Sequence, residues 1–472
     1  MPKLYRVPLW IAVLTAFGCE TGATDDPVAD TDMGSTANAS DVDGTTTAPS
    51  ADSSGDPTGD STAGPMTDTD DPTTTGGNPN AGMLDPDFGA DGWVFVDVDE
   101  FDEFGFGLAV REDDTLIVGG EATTDAGSGD FLVVQLLPDG QLDPAFDDDG
   151  IATLDYASAG FQAGRGVELD GQGRIVVPGQ HFDLLAAARV LADGTPDGDF
   201  DDDGMATTVD DFASQMTFNG AVGPNDEVAV VGQYDFSLGV ALFDSDGAAI
   251  DTFDGDGLVA TDFPGYDEVV GQEVLFTAGG QLLVAGFALD TAGTSNFILR
   301  YQPDGQLDPT FGEEGGYTLG TYGILHEAQS LAELPDGSIL IAGLALVGME
   351  EGYVVARHAP DGTLDLSFGT DGYVDSLGMS RAHDIAVDDD GSFYLAGDLE
   401  GLGESTDISV AKHMPDGTPD PSFGNGGFAV FDSGSDTETV YAIEFHGDDG
   451  LAIAGHVRND GFSDVAVLRL FK

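Results

Sequence analysis

The stretch PDGQLDPTFGEEGG occupies residues 303–316, and a close copy, PDGTPDPSFGNGG, begins at Pro415. Both are rich in turn-forming residues, since Asp-Gly and Pro-Asp-Gly accept the positive φ angles that tight turns need. The second half of the phrase occurs seven times along the chain. Its phenylalanines are Phe88, Phe146, Phe200, Phe253, Phe311, Phe368 and Phe423, spaced 58, 54, 53, 58, 57 and 55 residues apart. A regular period of this length indicates a repeat fold.

A second marker keeps the same period. Segments such as LLVAG, ILIAG, FYLAG and LAIAG end in Gly120, Gly179, Gly232, Gly286, Gly343, Gly397 and Gly455. Around both markers, alternating apolar residues between turns predict four short strands per unit, for example residues 328–334, 338–344, 353–359 and 372–377. No long apolar period of 3.6 residues occurs, so helix should be nearly absent. Four antiparallel strands in about 55 residues predict a β-propeller blade.

The two ends of the repeat predict how the ring closes. The first phrase, at Leu84, is followed by the strand-like residues 92–98 but is preceded by no core strands. The last unit ends in DVAVLRLFK without a phrase after it. We therefore expect residues 92–98 to pair with residues 463–470 as the outer strand of the last blade, which removes an exposed edge. The predicted fold is all-β, a seven-bladed β-propeller of four-stranded antiparallel blades over residues 83–472, closed by the N-terminal strand.

These repeats resemble the delta-60 repeat, a propeller-type family with the pattern DGxIxVAG followed by DxxVxRxxPDGxLDPxFGxxG. Here GSILIAG and VVARHAPDGTLDLSFGTDG carry the resemblance, together with their copies over residues 83–472. The third and fourth units depart from it, since Gly198 and Thr252 stand where proline is expected. The resemblance implies a secreted or surface repeat protein. It implies no defined chemistry, and no catalytic residue is carried over from it.

The N-terminal residues predict export. Lys3 and Arg6 precede the apolar residues 9–17, a run too short to span a bilayer, and the lone cysteine, Cys19, follows. This arrangement resembles a bacterial lipoprotein signal, so we expect residues 1–18 to be a signal peptide and Cys19 to carry lipid. Cleavage as an ordinary secretory signal is the alternative. Residues 19–82 are rich in Thr, Ser, Asp and Gly and should form a disordered tether. The protein would then belong to the cell envelope or outer membrane, or else be secreted.

The charge limits the classes of partner. The 472 residues contain 13 Lys plus Arg against 88 Asp plus Glu, for a net charge of −75. This excludes a general nucleic-acid-binding surface, which needs clustered cations. It favours solubility, cations or cationic partners. We expect a monomer that meets a membrane only through its lipid anchor.

Two repeated positions are candidate sites. The end of the third strand carries Gln135, Arg189, Leu242, Arg300, Arg357, Lys412 and Arg469. Five of these seven are basic, and we interpret them as ion-pair partners of the LDP aspartates, such as Asp308 and Asp365, rather than as an anion-binding ring. His358 and His413 follow two of these cations, but the equivalent residues of other blades are apolar or aromatic. The position is therefore a packing site and not a metal ligand.

One acidic stretch suggests calcium. Asp199, Asp201 and Asp203 precede Gly204, and alternate carboxylates of this kind can converge on one hard cation. The same residues also form the ordinary repeat turn, and no Glu follows at the position that a complete twelve-residue calcium loop requires. Calcium is therefore a possible cofactor at this stretch, with a plain turn as the alternative.

The variable loops predict where a ligand binds. The connections into the inner strands vary more than the PDG and FGxDG turns, and they contain Phe161, Phe212, Tyr266, Arg381 and His383. The alternative is that their aromatic residues fill gaps between blades. No GxSxG, HExxH or phosphate loop occurs. We therefore predict a non-catalytic, surface-anchored module that binds a protein, glycan or cation. The alternative is a hydrolase or lyase for polysaccharide or peptide, which two carboxylates with His or Arg at the channel mouth would favour.

Overall fold

The computed structural model describes residues 78–98, 101–123, 128–156, 161–208, 215–320, 322, 326–347, 350–376, 379, 381–400, 406–459 and 461–472. The predicted signal peptide, most of the predicted tether, Cys19 and Phe212 lie outside these residues. Within them the secondary structure is β, arranged as seven antiparallel sheets. This confirms the predicted all-β fold of seven four-stranded blades. No helix in the described part of the chain has the length and apolar character needed to cross a membrane.

The first strand, β1 (Trp93–Val96), belongs to the last blade, and after it the blades follow one another in chain order. Blade 1 contains β2 (Glu103–Val110), β3 (Leu116–Thr123), β4 (Gly129–Leu136) and β5 (Ile151–Leu154). Blade 2 contains β6 (Gln162–Gly164), β7 (Glu168–Leu169), β8 (Ile175–His181), β9 (Leu184–Val190) and β10 (Met205–Thr207). Blade 3 contains β11 (Gln215–Val222), β12 (Val228–Tyr234), β13 (Ser237–Phe243) and β14 (Leu258–Thr261). The strands of blades 1 and 3 pair in chain order from the inside outwards, and in blade 2 both β6 and β7 pair with β8.

The remaining blades repeat this plan. Blade 4 contains β15 (Glu268–Phe276), β16 (Leu282–Asp290), β17 (Gly293–Tyr301) and β18 (Tyr317–Leu319). Blade 5 contains β19 (His326–Glu333), β20 (Ile339–Val347), β21 (Glu350–His358) and β22 (Tyr373–Ser376). Blade 6 contains β23 (Arg381–Val387), β24 (Phe393–Glu400), β25 (Thr406–His413) and β26 (Phe428–Phe431). Blade 7 contains β27 (Thr437–His446), β28 (Gly450–Asn459) and β29 (Phe462–Phe471), with β1 as its outer strand.

The N-terminal strand closes the ring as predicted. β1 pairs antiparallel with β29, with Trp93 opposite Leu468 and Val96 opposite Val465. The segment just before it also contributes, because Gly82 N donates to Phe471 O at 2.7 Å. The contacts of the last blade therefore begin a few residues ahead of the predicted boundary at residue 83. Closure in this way covers the edge of β29 and gives blade 7 four strands.

The repeated phrase joins each blade to the next. All seven of its phenylalanines are buried, none more than 1% exposed. In blade 4 the residue after Phe311 is Gly312, whose N–H donates to the carbonyl of Asp361 in the PDG turn of blade 5 at 2.7 Å. Gly362 of that turn lies over the Phe311 ring so closely that a Cβ would collide with it. The first and second halves of the phrase thus meet across the boundary between neighbouring blades.

A cation reinforces the same joint. Arg300 Nη2 lies 2.8 Å from Asp308 Oδ2, and its guanidinium carbon lies 4.5 Å from the centre of the Phe311 ring. Arg300 Nη1 also donates to Pro360 O in the next blade at 3.2 Å. Equivalent ion pairs are Arg189–Asp197, Arg357–Asp365, Lys412–Asp420 and Arg469–Asp85. The interpretation of these cations as ion-pair partners is confirmed.

We expect loss of the closing strand to destabilise the ring. Deletion of residues 83–100 removes the buried side chains of Trp93 and Val96 and uncovers the backbone of β29. The melting temperature should fall by about 10 °C or more, measured by circular dichroism. A deletion of residues 20–77, the predicted tether, serves as the control and should leave it unchanged. An unchanged melt after the first deletion would refute closure by β1.

Candidate functional site

The inner strands line a central channel, and each carries an irregularity at the same level. In six blades the pairing of the inner strand with the second strand skips one residue, which forms a β-bulge. In blade 2 the inner strand is split instead into β6 and β7. There Pro178, which has no N–H, faces the gap and accepts from Arg165 N at 2.8 Å. The residues at this level, here called the bulge ring, are Phe106, Arg165, Phe218, Gln272, Gln329, His383 and Tyr441.

The marker glycine explains why the bulge recurs. A Cβ at Gly343 would collide with the carbonyl oxygen of Glu327, and Gly120 stands in the same relation to Phe104. The bulge pushes the backbone of the inner strand towards the second strand at this point, and only glycine leaves room for it. Because a bulged residue leaves the ladder, its side chain is re-aimed. The marker glycine therefore indicates, in the sequence of each blade, which part of the inner strand carries the bulge.

Four neighbouring blades hold a contiguous group of side chains from this ring. The His383 and Tyr441 rings lie 5.4 Å apart, and the Tyr441 and Phe106 rings 4.9 Å apart. The guanidinium carbon of Arg165 lies 4.7 Å from the centre of the Phe106 ring. Blades 6, 7, 1 and 2 thus present imidazole, phenol, phenyl and guanidinium groups in succession, here called the aromatic arc. The other three blades present Phe218, Gln272 and Gln329, so the ring is asymmetric.

Polar residues of the second strands support the arc from behind. His383 Nε2 lies 2.7 Å from Asp398 Oδ2, and Arg165 Nη2 lies 3.4 Å from Glu121 Oε2. The His456 ring is stacked on Tyr441 with a centroid distance of 5.8 Å. Asp398, His456 and Glu121 each directly follow the marker glycine of their blade. The equivalent residues of blades 2, 3, 4 and 5 are Gln180, Gln233, Phe287 and Leu344. The support is specific to the arc.

The arc combines neutral and charged groups at neutral pH. Burial lowers the pKa of His456 to about 4, so its imidazole is uncharged. Burial and the carboxylate of Asp398 raise the pKa of Tyr441, which therefore keeps its hydroxyl proton. Burial raises the pKa of Glu121 although Arg165 opposes the shift. A carboxylate bound to the ring nitrogen of His383 fixes the orientation of that imidazole.

A second group of side chains lies further along the inner strands. Glu273 and Asp384 directly follow the bulge residues of blades 4 and 6, and Glu168 and Glu444 lie two residues further along in blades 2 and 7. Asp384 accepts from Ser330 Oγ at 2.7 Å and from Ile443 N of the next blade at 2.9 Å. Glu273 Oε2 accepts from Asn219 Nδ2 of the preceding blade at 2.7 Å. These four acids are here called the carboxyl tier.

The four carboxyls disfavour each other's charge. Burial and the charge of Asp384 raise the pKa of Glu168 to about 7. Burial, Asp384 and Glu168 raise the pKa of Glu444 to about 8. Glu444 keeps an exposed surface in the channel, which moderates the effect of burial, but the two neighbouring charges act in the same direction. Burial also raises the pKa values of Glu273 and Asp384. No Lys or Arg forms an ion pair with any of the four within the described residues.

A cavity opens at the end of the channel beside this tier. Its volume is about 700 Å³, and it is lined by residues 108–112, Asp114, Glu168, Leu169, Glu444, Phe445, Gly447 and Asp448. These residues come from the inner strands of blades 7, 1 and 2 and from the turns that follow them. The cavity therefore lies at the mouth of the channel that is formed by the turns between the first and second strands. The aromatic arc lies further along the channel, towards the other mouth.

The predicted ligand residues do not form one group. His383 belongs to the aromatic arc, and Arg381 lies two residues before it in β23. Arg381 forms no ion pair with a described residue, which is unusual for a cation in so acidic a chain. Phe161 precedes β6 and binds through its carbonyl to Phe182 N at 2.8 Å. Tyr266 donates to Ser295 Oγ at 3.1 Å and packs against the core of blades 3 and 4. Phe212 lies outside the described residues.

The predicted calcium residues lie in a repeat turn. Asp199, Asp201 and Asp203 are exposed, and Asp201 has a φ of 49° at the position that is glycine in several other blades. Asp203 Oδ1 accepts from Met205 N at 3.1 Å. Among described residues, the groups that bring three carboxylate oxygens within 4.8 Å of one another lie elsewhere. Calcium binding at these three aspartates remains a prediction.

The two histidines interpreted as packing residues are buried. His358 is 2% and His413 1% exposed. His358 Nδ1 lies 3.1 Å from Gly362 O, and His413 Nε2 lies 2.9 Å from the Tyr353 hydroxyl. Burial lowers the pKa of each to about 4, so both imidazoles are neutral in the core. The packing interpretation is confirmed.

Sequence reasoning missed the carboxyl tier and most of the aromatic arc. Both lie on inner strands, whereas the search followed the variable loops. A signal was available, because the residue after the marker glycine is acidic or imidazole in blades 1, 6 and 7, amide in blades 2 and 3, and apolar in blades 4 and 5. Asp398, His456 and Glu121 stand at a position where Leu344 and Phe287 show that no polar group is needed for the fold.

Comparison with known proteins supports a β-propeller repeat. The model of a family described as a domain of unknown function (DUF5122) β-propeller matches residues 112–146, 280–311, 334–368 and 389–423. A search of curated proteins finds no match to the chain. The chain is therefore a β-propeller repeat protein, and the matched segments coincide with the phrase and its preceding strands.

Solved structures resemble the chain at low identity. One is a catalytically inactive virginiamycin B lyase from Staphylococcus aureus with quinupristin, with 10% identity, a TM-score of 0.47, and 80% of this chain and 99% of that chain covered. Another is the polysaccharide lyase Uly1, with 8% identity, a TM-score of 0.46 and coverage of 80% and 99%. Drosophila Semaphorin 1a, extracellular domains 1–2, has 10% identity, a TM-score of 0.44 and coverage of 80% and 87%. Likenesses of this degree say nothing about activity.

The carboxyl tier predicts a fall in stability with rising pH. Glu168 and Glu444 have pKa values of about 7 and 8 in the folded protein, above the value of an exposed Glu. Between pH 7.5 and 8.5 the folded state therefore binds more protons than the unfolded state at these two groups, and the free energy of unfolding should decrease. At lower pH the histidines act in the opposite direction, because they take up protons in the unfolded state, where their pKa is about 6.5, but not when buried. The double variant Glu168→Gln/Glu444→Gln should flatten the decrease, measured by urea unfolding.

A matched control separates this effect from general charge. Glu313 and Glu314 are exposed in the turn after Phe311. The double variant Glu313→Gln/Glu314→Gln makes the same change in net charge and should keep the decrease. If the channel variant and the control show the same pH dependence, the carboxyl tier is not its source.

Proposed function

We propose that this propeller is an exported binding module that takes up a protonated amine of a glycan or a peptide in its central channel. The amine would lie at the carboxyl tier. The aromatic arc would contact the uncharged part of the same ligand. The proposal follows the expectation of a non-catalytic binding module and gives its ligand a chemical class.

The observation that carries the proposal is the unbalanced charge of the carboxyl tier. Glu168, Glu273, Asp384 and Glu444 converge on one channel, and no described cation pairs with them. Their raised pKa values show that each added charge is unfavourable there. An ammonium group would favour the charged form of each carboxyl. Its binding would therefore be favourable because it reduces the repulsion among the four carboxylates. The net charge of −75 would also speed the approach of a cation.

The aromatic arc supports an organic ligand rather than a bare ion. Phe106 and Tyr441 are half-buried, so part of each ring faces the channel. Sugar rings and aliphatic side chains pack on such faces, and ammonium groups are attracted to them. Arg165 and the half-buried Arg381 could donate hydrogen bonds to hydroxyl or carboxylate oxygens of the same ligand. The cavity of about 700 Å³ at the other mouth is large enough for a short oligomer.

A pair of oligosaccharides tests this proposal. Chitosan trisaccharide carries amines, and its N-acetylated counterpart has the same chain without the charge. We expect the first to bind at least 10-fold more tightly in calorimetry at pH 7.5. Because Glu168 and Glu444 are partly protonated at this pH, binding of trilysine, whose amines are already charged, should release protons, seen as an enthalpy that changes with the ionisation enthalpy of the buffer. Trilysine, run in parallel, distinguishes a peptide from a glycan ligand.

The control again uses the exposed glutamates. Glu168→Gln/Glu444→Gln should abolish the preference for the amine and the proton release, whereas Glu313→Gln/Glu314→Gln should preserve both. An equal loss in the two double variants would mean that only the overall charge attracts these ligands. Failure of both amines to bind the wild-type protein would contradict the proposal.

A second candidate function rests on His383. Its ring nitrogen is held by Asp398 at 2.7 Å, and Tyr441 lies beside it with a protonated hydroxyl. An oriented imidazole next to a phenol can remove and return a proton, which is the requirement of a glycan- or peptide-cleaving hydrolase or lyase.

The same ligands separate the two candidates. After prolonged incubation with the protein, mass spectrometry of the oligosaccharides and of trilysine should show them intact if the propeller only binds. Shortened products that disappear in the His383→Asn variant, while binding persists, would favour the enzyme. Products that persist in this variant would point to a contaminant or another site.

The proposed location follows from the N-terminal residues alone. A signal peptide over residues 1–18 and a lipid on Cys19 would hold the propeller on the envelope through the tether of residues 19–82. Glycans and basic peptides are available to a protein in that position. The proposed ligand class and the proposed location are therefore compatible.

A further inference from the structure

The junction of blades 6 and 7 brings three carboxyl groups together. Asp407 lies in β25, Asp432 directly follows β26, and Glu438 lies at the start of β27. One oxygen from each lies within 4.8 Å of the others. We propose that this junction binds a divalent cation of the calcium class, which fastens the two blades to each other. This site is separate from the channel and does not depend on the proposed function.

Glu438 is the residue that distinguishes this cluster from ordinary surface acids. It is 1% exposed, and its Oε1 accepts from Ser433 N at 3.1 Å and from the Ser433 hydroxyl. Its other oxygen, Oε2, is buried without any hydrogen-bond partner. A buried carboxylate oxygen without a partner is costly and needs an explanation. Burial, and then the charge of Asp432, raises the pKa of Glu438, although hydrogen bonds from Ser433 oppose the shift.

The same three carboxyl groups recur at the next junction. Between blades 7 and 1, Asp464 lies in β29, Asp97 follows β1 and Glu103 starts β2, again with one oxygen of each within 4.8 Å. The strand registers make them equivalent: Val465 and Ile408 pair with Val96 and Phe431, the residues before Asp97 and Asp432. Glu103 and Glu438 both stand two residues before the last paired residue ahead of the bulge. Recurrence on separate sequences argues against chance clustering.

A third junction shows what replaces the buried glutamate where it is missing. Between blades 1 and 2 the equivalent residues are Asp130, Asp155 and Gln162. Gln162 is fully buried, and its Nε2 donates to Asp155 Oδ1 at 3.2 Å. An amide donor thus partly compensates the carboxylate there. At the other two junctions a third carboxylate stands in its place, which is the difference that a bound cation would require.

The ligand atoms select the class of ion. All three groups at each junction are carboxylates, and the Ser433 hydroxyl lies beside one of them, so the donors are hard oxygens. No imidazole or thiol is among them, which disfavours zinc and copper. The ligands come from three separate segments, namely a strand, a connection and the next blade. Calcium tolerates irregular oxygen sites better than magnesium does.

The first experiment counts the ions. The full-length protein is stripped with a chelator and titrated with CaCl₂ by calorimetry at constant ionic strength in KCl. We expect the two junctions to contribute two sites, apart from any site at Asp199, Asp201 and Asp203. Glu438→Gln and Glu103→Gln, which copy the natural residue at position 162, should each remove one of the two. The reverse variant, Gln162→Glu, should add a third site. Two sites that persist in the Glu438→Gln/Glu103→Gln double variant would overturn the proposal.

The second experiment separates binding from a folding defect. Without calcium, Glu438→Gln removes one of three repelling charges, so its melting temperature should equal or exceed that of the wild type. With calcium, the wild type should gain stability that the variant loses in part. A variant that melts lower under both conditions would show a structural role only and would overturn the proposal. MgCl₂ at the same concentration should raise the melting temperature less than CaCl₂, and equal effects would refute the calcium class.

Discussion

The contact between the Phe-Gly turn of one blade and the Pro-Asp-Gly turn of the next determines the rest of this structure. A single four-stranded blade cannot bury both of its faces, so its stability depends on its neighbours. The buried phenylalanine supplies apolar area, the backbone bond between the turns fixes the distance, and the arginine connects carboxylate, ring and the next backbone. All three interactions depend on the glycine of the Pro-Asp-Gly turn, such as Gly362 with a φ of 81°. The repeated phrase therefore encodes the same contact between neighbouring blades each time it occurs in the chain.

The distribution of charge follows from this joint. Five of the scarce cations are used in ion pairs under the turns, where they lie on the outer half of each blade. Few are left for the inside of the ring, which therefore contains carboxyls in excess. At the carboxyl tier and at two blade junctions the acids face one another without a described cation. A very acidic composition thus becomes a specific internal pattern, and not only a solvated surface.

The fold could be predicted from the sequence, whereas the candidate site could not. The phrase and the marker glycine report on backbone geometry, and that geometry is the same in every blade. Closure by Trp93–Val96 followed from the half units at the two ends. The candidate site depends instead on which side chains stand at one level in different blades, for example His383 beside Tyr441 and Arg165. These positions are far apart in sequence, and nothing local to any one of them marks it as functional.

Loop variability was a weaker guide than strand register. Tyr266 is in a variable connection, yet it packs against the core, and its hydroxyl is bound to Ser295. Glu444 is inside a regular strand, yet its side chain faces the channel. In a propeller the inner strand is an edge strand of its blade, so its side chains can be both regular in spacing and open to a ligand. A search for sites in such folds should align the units on the marker glycine first.

The bulge on each inner strand has a consequence for how this ring can change. A residue that stands outside the ladder contributes little to strand pairing, and the seven natural examples already include aromatic, amide, cationic and imidazole side chains. The scaffold therefore accommodates side chains of different size, polarity and charge at these seven places while its turns hold the blades together. Where the side chains are in contact, as in the aromatic arc, they must change together, and elsewhere on the ring they can change singly. The inner surface of such a ring can thus diversify by substitution at the bulges, without an inserted loop.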